Sequence, residues 1–500
     1  MIRYLLLLII PFQFLFFTGE LFSEINIRSK KNQRPFFPGE DQNVFLQLTI
    51  RVDSSADKTY LREIIIEAGD SHSERVISSI SILNSGSRDT ISRKGEFRNR
   101  KFVFRLNREL QAGGNIFYLS CTVKEDASLN EPVLLRCKSV TIGEKKHLID
   151  KKFNEFLIGR IVRKPGNDAA KCYRIPGLIT TRKGTLIAAY DIRYESCGDL
   201  PGNIDVGVSR STDGGENWLP MQIVMDMGEP QSGNGIGDPS ILLDEQTGTV
   251  WIAALWSHGN NGWNGSGRGL TPEETGQLVL VKSEDDGISW SSPINITERL
   301  KDPSWKLFFQ GPGSGISLRD GALIFPAQFR DSTGIPYSTI IYSKDHGKNW
   351  NRGTGAKSNT TEAQAVELES GEVMLNMRDN RGEFRSVAIT SDLGKTWIEH
   401  TSSRNALREP ICMAGLIRAG SKKAGDKKNI LAFSNPDDSK RRKNMTVKLS
   451  LDEGINWDKN HQLLYDERDC FGYSSLTKID AKHLGVLYEG KGELYFVKIK

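Results

Sequence analysis

The chain has 500 residues, of which 38% are hydrophobic and 26% charged, and its formal net charge is +5. These fractions are typical of a globular protein of about two or three domains and exclude disordered, collagen-like and coiled-coil chains. The small net charge does not indicate nucleic-acid binding, and beyond the N-terminus no apolar run approaches the ~20 residues of a membrane-spanning helix.

The N-terminal segment is typical of a secretory signal peptide. Arg3 is followed by an apolar run over residues 4–17. An early positive charge before such an apolar core marks proteins for export. We expect cleavage between Thr18 and Ser23, so that residues 1–23 are removed and the protein is periplasmic or secreted. The alternative is that the segment stays as a single membrane anchor.

The cysteines are too few for a disulfide-based scaffold in a chain of this length. Neither a CxxC pair nor an HExxH motif occurs, so the sequence does not indicate a zinc site. A disulfide between Cys172 and Cys197 and a pair of buried thiols are both compatible with the sequence. The six cysteines are Cys121, Cys137, Cys172, Cys197, Cys412 and Cys470.

Residues 43–142 alternate between apolar and polar side chains in short runs, as in residues 46–52. A period of two separated by polar turns predicts an antiparallel β-sandwich, which we place at residues 24–150. The charged stretch at residues 143–152 is predicted to be a linker.

The rest of the chain contains two kinds of repeat. The motif Ser/Thr-x-Asp-x-Gly-x-x-Trp, called an Asp box, occurs at residues 211–218, 283–290, 343–350, 390–397 and 450–457. Its Asp and Ser/Thr side chains can bond loop amides, its Gly can adopt positive φ, and its Trp can anchor the turn. Repeated units of this kind indicate an array of similar supersecondary structures.

Between the boxes lie pairs of apolar runs around a polar turn, each typical of a hairpin. They occupy residues 178–189, 241–255, 316–327, 366–377, 416–433 and 476–488. Six such hairpins joined mostly by boxed turns predict an all-β protein in which residues 151–500 form a six-bladed β-propeller.

Charged or phenolic residues stand at corresponding ends of several hairpins. Inner-strand ends converge on the axis of a propeller, and such groups are costly to bury unpaired. Structural ion pairs closing the propeller explain one or two of them, but poorly explain Arg, Glu and Tyr together. The residues concerned are Arg174, Arg193, Asp238, Glu362, Arg378, Tyr473 and Glu489.

The stretch Tyr173-Arg174-Ile175-Pro176, followed by five Asp boxes, resembles the Arg-Ile-Pro signature of sialidases. The resemblance covers roughly residues 156–500. The N-terminal β-sandwich is similar to accessory, carbohydrate-binding-type domains of bacterial exo-sialidases.

The resemblance implies that three arginines, Arg174, Arg378 and Arg442, bind the substrate carboxylate. Arg441 is adjacent to Arg442, and the Arg-x-Asn spacing favours Arg442. A planar guanidinium suits this task because it can meet a carboxylate with two hydrogen bonds. Arg193 is expected to line the sugar pocket near the ring substituent opposite the glycosidic bond.

The resemblance also assigns the catalytic groups. Asp199 is the expected acid/base, which requires partial desolvation to stay protonated. Tyr473 with Glu362 is the expected nucleophile pair; the sugar's own carboxylate would repel an anionic nucleophile, and sialidases use tyrosine. Glu489 is expected to hold Arg174, and Asp238 is a pocket residue without an assigned role.

The function implied is an exo-α-sialidase that hydrolyses sialylated glycans with retention, as a monomer and without a metal or organic cofactor. A trans-sialidase or intramolecular trans-sialidase would share every catalytic residue. A propeller lectin that binds sialic acid without turnover is the alternative outside enzymes, and the presence of Tyr473, Glu362 and Asp199 argues against it.

Overall fold

The computed structural model describes residues 25–53, 58–85, 90–94, 99–228 and 233–500, and its regular structure is almost entirely β-strand. The predicted signal peptide lies outside these residues. Within them, no helix is long and apolar enough to cross a membrane. The helices are α1 (Ser71–Val76), α2 (Thr297–Leu300) and short 3-10 helices at Asn167–Ala169, Lys422–Ala424 and Lys459–His461. The predicted all-β class is confirmed.

The strands of the N-terminal part are β1 (Asn26–Lys31), β2 (Asn43–Val52), β3 (Thr59–Ala68), β4 (Ile77–Asn84), β5 (Thr90–Lys94), β6 (Lys101–Leu110), β7 (Gly113–Val123), β8 (Val133–Ile142), β9 (Lys145–Leu148) and β10 (Asn154–Phe156). They form two antiparallel sheets, ordered β1-β2-β7-β4-β5 and β10-β8-β3-β6, with β9 beside β8.

The two sheets pack face to face as the alternating pattern predicts. Leu48 and Leu119 from one sheet and Ile64 and Val140 from the other are completely buried. This arrangement confirms the β-sandwich. Residues 143–152, however, are not simply a linker: they contain β9, which pairs with β8 as an edge strand. The charges that suggested a linker belong to this edge, where charged side chains discourage pairing with other chains.

The strands that follow are β11 (Gly159–Arg163), β12 (Cys172–Thr180), β13 (Leu186–Arg193), β14 (Ile204–Ser211), β15 (Gln222–Met225), β16 (Gly235–Leu243), β17 (Val250–Ser257), β18 (Gln277–Ser283), β19 (Ile294–Asn295), β20 (Leu307–Gln310), β21 (Gly313–Ser314), β22 (Ile316–Ser317), β23 (Leu323–Arg330), β24 (Pro336–Ser343), β25 (Asn351–Arg352), β26 (Lys357–Ser358), β27 (Thr360–Glu367), β28 (Val373–Asp379), β29 (Glu383–Phe384), β30 (Ser386–Thr390), β31 (Ile398–Glu399), β32 (Arg408–Glu409), β33 (Gly415–Gly420), β34 (Ile430–Pro436), β35 (Met445–Ser450), β36 (Gln462–Asp466), β37 (Ser474–Lys478), β38 (Leu484–Glu489) and β39 (Leu494–Ile499).

These strands form the six blades of the predicted propeller. From the axis outward, the blades are β12 to β15, β16 to β19, β20 with β22 to β26, β27-β28-β30-β31, β33 to β36, and β37-β38-β39-β11. Every predicted hairpin is found as the inner pair of a blade. The outer strand of the last blade, β11, comes from the start of the propeller and pairs with β39, so the ring is closed by main-chain hydrogen bonds.

The Asp boxes stabilise the turns between the third and fourth strands of the first five blades. In the first box, Ser211 Oγ donates to Asp213 Oδ1 at 2.8 Å and accepts the Gly215 N–H at 2.9 Å. Asp213 also accepts the Asn217 N–H at 2.9 Å. These bonds are local, which explains why the motif predicts a turn so well and says nothing by itself about activity.

The sandwich is fixed to the propeller through a continuous apolar contact. Phe36 donates its N–H to the Leu157 carbonyl at 2.8 Å and accepts the Gly159 N–H at 2.8 Å. Next to it, Phe37 stacks on Tyr495 of β39, with ring centroids 4.4 Å apart. Both phenylalanines are completely buried. The last blade therefore packs against the segment between β1 and β2 of the sandwich.

We expect Phe37→Ala to lower the free energy of unfolding by about 3–5 kcal/mol, because it leaves a cavity between the sandwich and the last blade. Thermal unfolding followed by calorimetry measures the change. Phe153→Ala is the matched control, since Phe153 is 38% exposed and should cost far less. Equal losses for the two variants would contradict the view that this contact joins the domains.

Candidate active site

A pocket of about 390 Å³ opens where the inner strands of several blades end. Its wall combines charged groups with apolar and aromatic side chains, a combination suited to a polar ligand with a hydrocarbon skeleton. The lining residues are Ile175, Asp199, Leu200, Asp238, Leu255, Trp263, Asn264, Phe309, Gln328, Thr361, Glu362, Arg378, Asn380 and Tyr473.

Tyr473, Glu362 and Arg378 form one hydrogen-bonded group at the base of the pocket. The Tyr473 hydroxyl donates to Glu362 Oε1. Arg378 Nη1 donates to the Tyr473 oxygen at 3.0 Å and to Glu362 Oε2 at 2.6 Å. Burial, and then the Glu362 carboxylate, raise the pKa of Tyr473 well above its ordinary value. The phenol is therefore neutral, with a proton acceptor already in contact.

Glu489 joins Arg174 to Tyr473 beneath the pocket. Its Oε1 accepts Arg174 Nε at 3.1 Å and the Ile175 N–H at 2.9 Å, and its Oε2 accepts the Tyr473 N–H at 2.9 Å. Glu489 is completely buried. Ile175 has φ of 61°, a left-handed conformation rare for a β-branched residue. The irregularity lies directly after Arg174 and shifts the register of β12 with β13.

Arg442 reaches the site from the fifth blade, and Arg441 does not. Arg442 donates to the Phe471 carbonyl at 3.0 Å and to the Ile411 carbonyl at 2.9 Å. The Arg441 side chain is 63% exposed and pairs with Asp469 at 2.7 Å. The structure thus orients the two neighbours in different directions, with Arg442 toward Tyr473 and Arg441 toward solvent and Asp469.

Three guanidinium groups converge on the Tyr473 side chain. Those of Arg174 and Arg442 lie 5.4 Å and 5.6 Å from the centre of its ring, and that of Arg378 bonds its hydroxyl. Arg378 Nε is buried and has no hydrogen-bond partner among the described residues. Such a cluster can bind a carboxylate beside the phenol.

Asp199 stands at the rim of the pocket, on the loop after β13. Its side chain is 75% exposed, and it accepts hydrogen bonds from Arg193 Nη1 at 2.7 Å and Arg174 Nη1 at 3.1 Å. Burial acts to raise the pKa of this carboxyl, but Arg193 and Arg174 outweigh it and hold the pKa below its ordinary value. The carboxyl is thus partly desolvated, as expected from the sequence, but its lowered pKa does not favour the protonated form in the free protein.

A disulfide fastens the Asp199 loop to the strand that carries Arg174. Cys172, at the start of β12, is bonded to Cys197, with their Cα atoms 5.3 Å apart. The other four cysteines are free thiols. Of the two alternatives that the sequence left open, a disulfide and a pair of buried thiols, the structure contains the disulfide. It links the two segments that bear Arg174 and Asp199.

Arg193 lies behind Asp199 and is not among the pocket-lining residues. Its side chain is 2% exposed, and it donates to Asp199, to the Cys197 carbonyl at 2.8 Å and to Asp191 at 2.8 Å. The predicted contact with the sugar ring therefore requires Arg193 to exchange one of these partners. Asp238 does line the pocket; burial, and then the Asp191 and Asp199 carboxylates, raise its pKa well above the ordinary value.

Several residues of the site were not found in the sequence. Asp191 is 1% exposed and accepts both Arg193 and the Asp238 N–H, the latter at 2.9 Å. Asp191 and Arg193 are two residues apart in an apolar strand, and that spacing could have placed them on one face. Trp263 lies in a long loop without alternation and packs edge-on against Phe309 at 6.2 Å, a contact that no local pattern signals.

Comparison with known proteins is consistent with this geometry. The profile of the BNR repeat-like domain matches residues 184–486. A sialidase from Bacteroides fragilis is 49% identical over 409 residues, which are 79% of this chain and 75% of the relative. A sialidase from Micromonospora viridifaciens is 33% identical over 344 residues, 66% of this chain and 52% of the relative. Among solved structures, the Hadza microbial sialidase Hz136 has a TM-score of 0.87 and 40% identity, covering 95% of this chain and 99% of its own.

Proposed function

The chain belongs to the sialidase family, and from that premise we propose that it is an exo-α-sialidase which releases terminal sialic acid with retention, through a covalent bond to Tyr473. The observation that carries the proposal is the contact of the neutral Tyr473 phenol with the Glu362 carboxylate. A nucleophile held against its own base is the arrangement that covalent catalysis needs.

A neutral nucleophile suits this substrate. The anomeric carbon of sialic acid carries a carboxylate, and a negatively charged Asp or Glu approaching it would be repelled. The phenol becomes anionic only as the reaction proceeds, when Glu362 accepts its proton. Arg378, at 3.0 Å from the phenol oxygen, stabilises the negative charge that develops there.

In the first step, the Tyr473 oxygen bonds to the anomeric carbon while its proton passes to Glu362. The bond from that carbon to the glycosidic oxygen breaks, and Asp199 donates a proton to the departing alcohol. In the second step, water attacks the same carbon and gives a proton to Asp199. The bond to Tyr473 breaks, and Glu362 returns the proton to the phenol. Two inversions give net retention.

The substrate carboxylate can prepare Asp199 for this role. In the free protein, Arg174 donates to Asp199 at 3.1 Å. A substrate carboxylate bound to Arg174 would compete for that hydrogen bond and add negative charge nearby. Both effects raise the pKa of Asp199. Binding of the correct substrate thus favours the protonated acid.

The deciding experiment is release of free sialic acid from sialyl-lactose and from a fluorogenic sialoside by the purified protein. Nuclear magnetic resonance of the first product should show the α-anomer, as retention requires. Added lactose that becomes sialylated would indicate a trans-sialidase, and a product lighter by one water would indicate the intramolecular enzyme. If the folded protein binds the sialoside but releases no sialic acid, it is a lectin and not an enzyme.

We expect Arg174→Lys, Arg378→Lys and Arg442→Lys each to lower kcat/KM by about 10-fold to 100-fold. Lysine keeps the charge but loses the planar pair of donors, and each charge-assisted hydrogen bond contributes roughly 1.5–3 kcal/mol. Arg441→Lys is the matched control, because Arg441 faces solvent and Asp469. A silent Arg442→Lys beside a damaging Arg441→Lys would show that the third assignment is wrong by one residue.

Export and the accessory role of the sandwich remain predictions of their own. Sequencing the N-terminus of the protein recovered from its native host tests whether cleavage falls between Thr18 and Ser23. Retention of residues 1–17 in that protein would contradict export by a cleaved signal.

The carbohydrate-binding role of the sandwich is tested by measuring glycan binding to the Tyr473→Phe chain while a tight inhibitor blocks the propeller pocket. Residual binding would support that role, and the absence of residual binding would refute it.

A further inference from the structure

A buried ion pair contacts the main chain that supports two of the three arginines around Tyr473, and neither member of the pair lines the pocket. Arg385, at the start of the segment that leads into β30, donates to Glu409 of β32 at 2.8 Å. The two side chains are 1% and 0% exposed. An isolated buried ion pair is weak evidence for stability, because removing both charges from water costs about as much as their attraction returns.

On one side the pair holds the strand that carries Arg378. Arg385 Nε donates to the Asn376 side-chain oxygen at 2.7 Å, and its Nη2 donates to the Asn376 carbonyl at 3.0 Å. Glu409 Oε1 accepts the Asp379 N–H at 2.9 Å. Asn376 and Asp379 lie on either side of Arg378 in β28. The pair therefore fixes the main chain both before and after this arginine.

On the other side the pair holds the turn that orients Arg442. Arg385 Nη1 donates to the Cys412 carbonyl at 2.6 Å, and Glu409 Oε2 accepts the Cys412 N–H at 3.4 Å. The preceding residue, Ile411, has φ of 53° and presents its carbonyl to Arg442 Nη2 at 2.9 Å. A β-branched residue keeps such a conformation only where its surroundings impose it.

We propose that Arg385 and Glu409 are positioning residues that set the separation of Arg378 and Arg442 and so determine the affinity for the substrate carboxylate. The inference rests on the proposed function, which makes these two arginines carboxylate ligands. The ion pair bonds both to β28, which carries Arg378, and to the Ile411–Cys412 turn, which contacts Arg442. A shift of either segment would therefore break hydrogen bonds that also hold the other.

The test uses the full chain and the carboxylate-bearing inhibitor 2-deoxy-2,3-didehydro-N-acetylneuraminic acid. We expect Glu409→Gln to weaken its binding, measured by calorimetry, by about 10-fold or more, and to raise KM more than it lowers kcat. Glu67→Gln is the matched control: Glu67 is a buried carboxylate of the sandwich that bonds Arg136 and Lys138, and its loss should affect melting alone.

A double-mutant cycle separates positioning from general stability. In an Arg378→Lys background, Glu409→Gln should weaken inhibitor binding by a smaller factor than in the parent, since one of the two arginines that it positions is already replaced. If Glu409→Gln does not fold, Asn376→Ala removes only one acceptor of Arg385 and should still weaken binding several-fold. Parent-like inhibitor affinity in folded Glu409→Gln or Asn376→Ala would overturn the inference. So would a double variant whose loss of affinity equals the product of the losses of Arg378→Lys and Glu409→Gln. An inactive parent would instead refute the proposed function.

Discussion

Tyr473→Phe should lower kcat by about 10²-fold or more for both sialyl-lactose and a 4-methylumbelliferyl sialoside, because it removes the nucleophile whatever group departs. The structure sharpens this expectation. Tyr473 is 5% exposed, and its ring lies among three guanidinium groups, so phenylalanine can keep the packing while losing only the oxygen. Binding of a non-covalent inhibitor should change little by comparison.

A second buried tyrosine provides the control. Tyr465 is completely buried and bonds Ser434 at 3.0 Å, outside the pocket. Tyr465→Phe should therefore retain activity at temperatures where it is folded. A difluoro-sialic-acid probe loses fluoride as it bonds to the nucleophile, and peptide mapping should place the sugar on Tyr473. A label on Glu362 or Asp199 would refute the tyrosine mechanism while leaving the family assignment intact.

The repeats of the propeller could be predicted because their signals are local. Each Asp box satisfies its own turn within a few residues, as Ser211, Asp213 and Gly215 do. Each hairpin likewise carries its strand pattern and its turn in one stretch of sequence. The charged stretch at residues 143–152 misled because an exposed edge strand and a linker have similar compositions.

The site depends on contacts between distant parts of the chain, and these were predicted only where a family resemblance supplied them. Arg174 and Glu489 are 315 residues apart, and Tyr473 and Glu362 are 111 apart. No periodicity links such pairs. Asp191, Arg385 and Glu409 support the site from buried positions without any motif, so no pattern in the sequence distinguishes them from ordinary structural charges.

The state of Asp199 is another property that only the fold determines. A loop aspartate could be desolvated or exposed, and the sequence required the former of a catalytic acid. In the structure, Arg193 and Arg174 hold the carboxyl and depress its pKa below the ordinary value despite partial burial. In the mechanism we propose, Asp199 would acquire its proton in the complex, where the substrate carboxylate would take over part of the Arg174 interaction.

Asp199→Ala should cripple cleavage of sialyl-lactose, by about 10²-fold or more, and reduce cleavage of a 4-methylumbelliferyl sialoside far less. A sugar alcohol departs poorly and needs a proton, whereas an aryl alcohol departs readily without one. The pH dependence should follow the same division. Since the acid works only when protonated, kcat for sialyl-lactose should fall as pH rises through the pKa of Asp199 in the complex, and this fall should be missing in Asp199→Ala.

Asp469→Ala is the matched control for that comparison. Asp469 is a half-exposed carboxylate that pairs with Arg441, and it does not line the pocket. Its loss should leave the ratio of the two substrates unchanged. Equal losses for both substrates in Asp199→Ala would mean that Asp199 acts mainly by holding Arg174 and Arg193, because a positioning role would not depend on the departing alcohol. The two substrates therefore distinguish proton donation from an ion-pair role at this one residue.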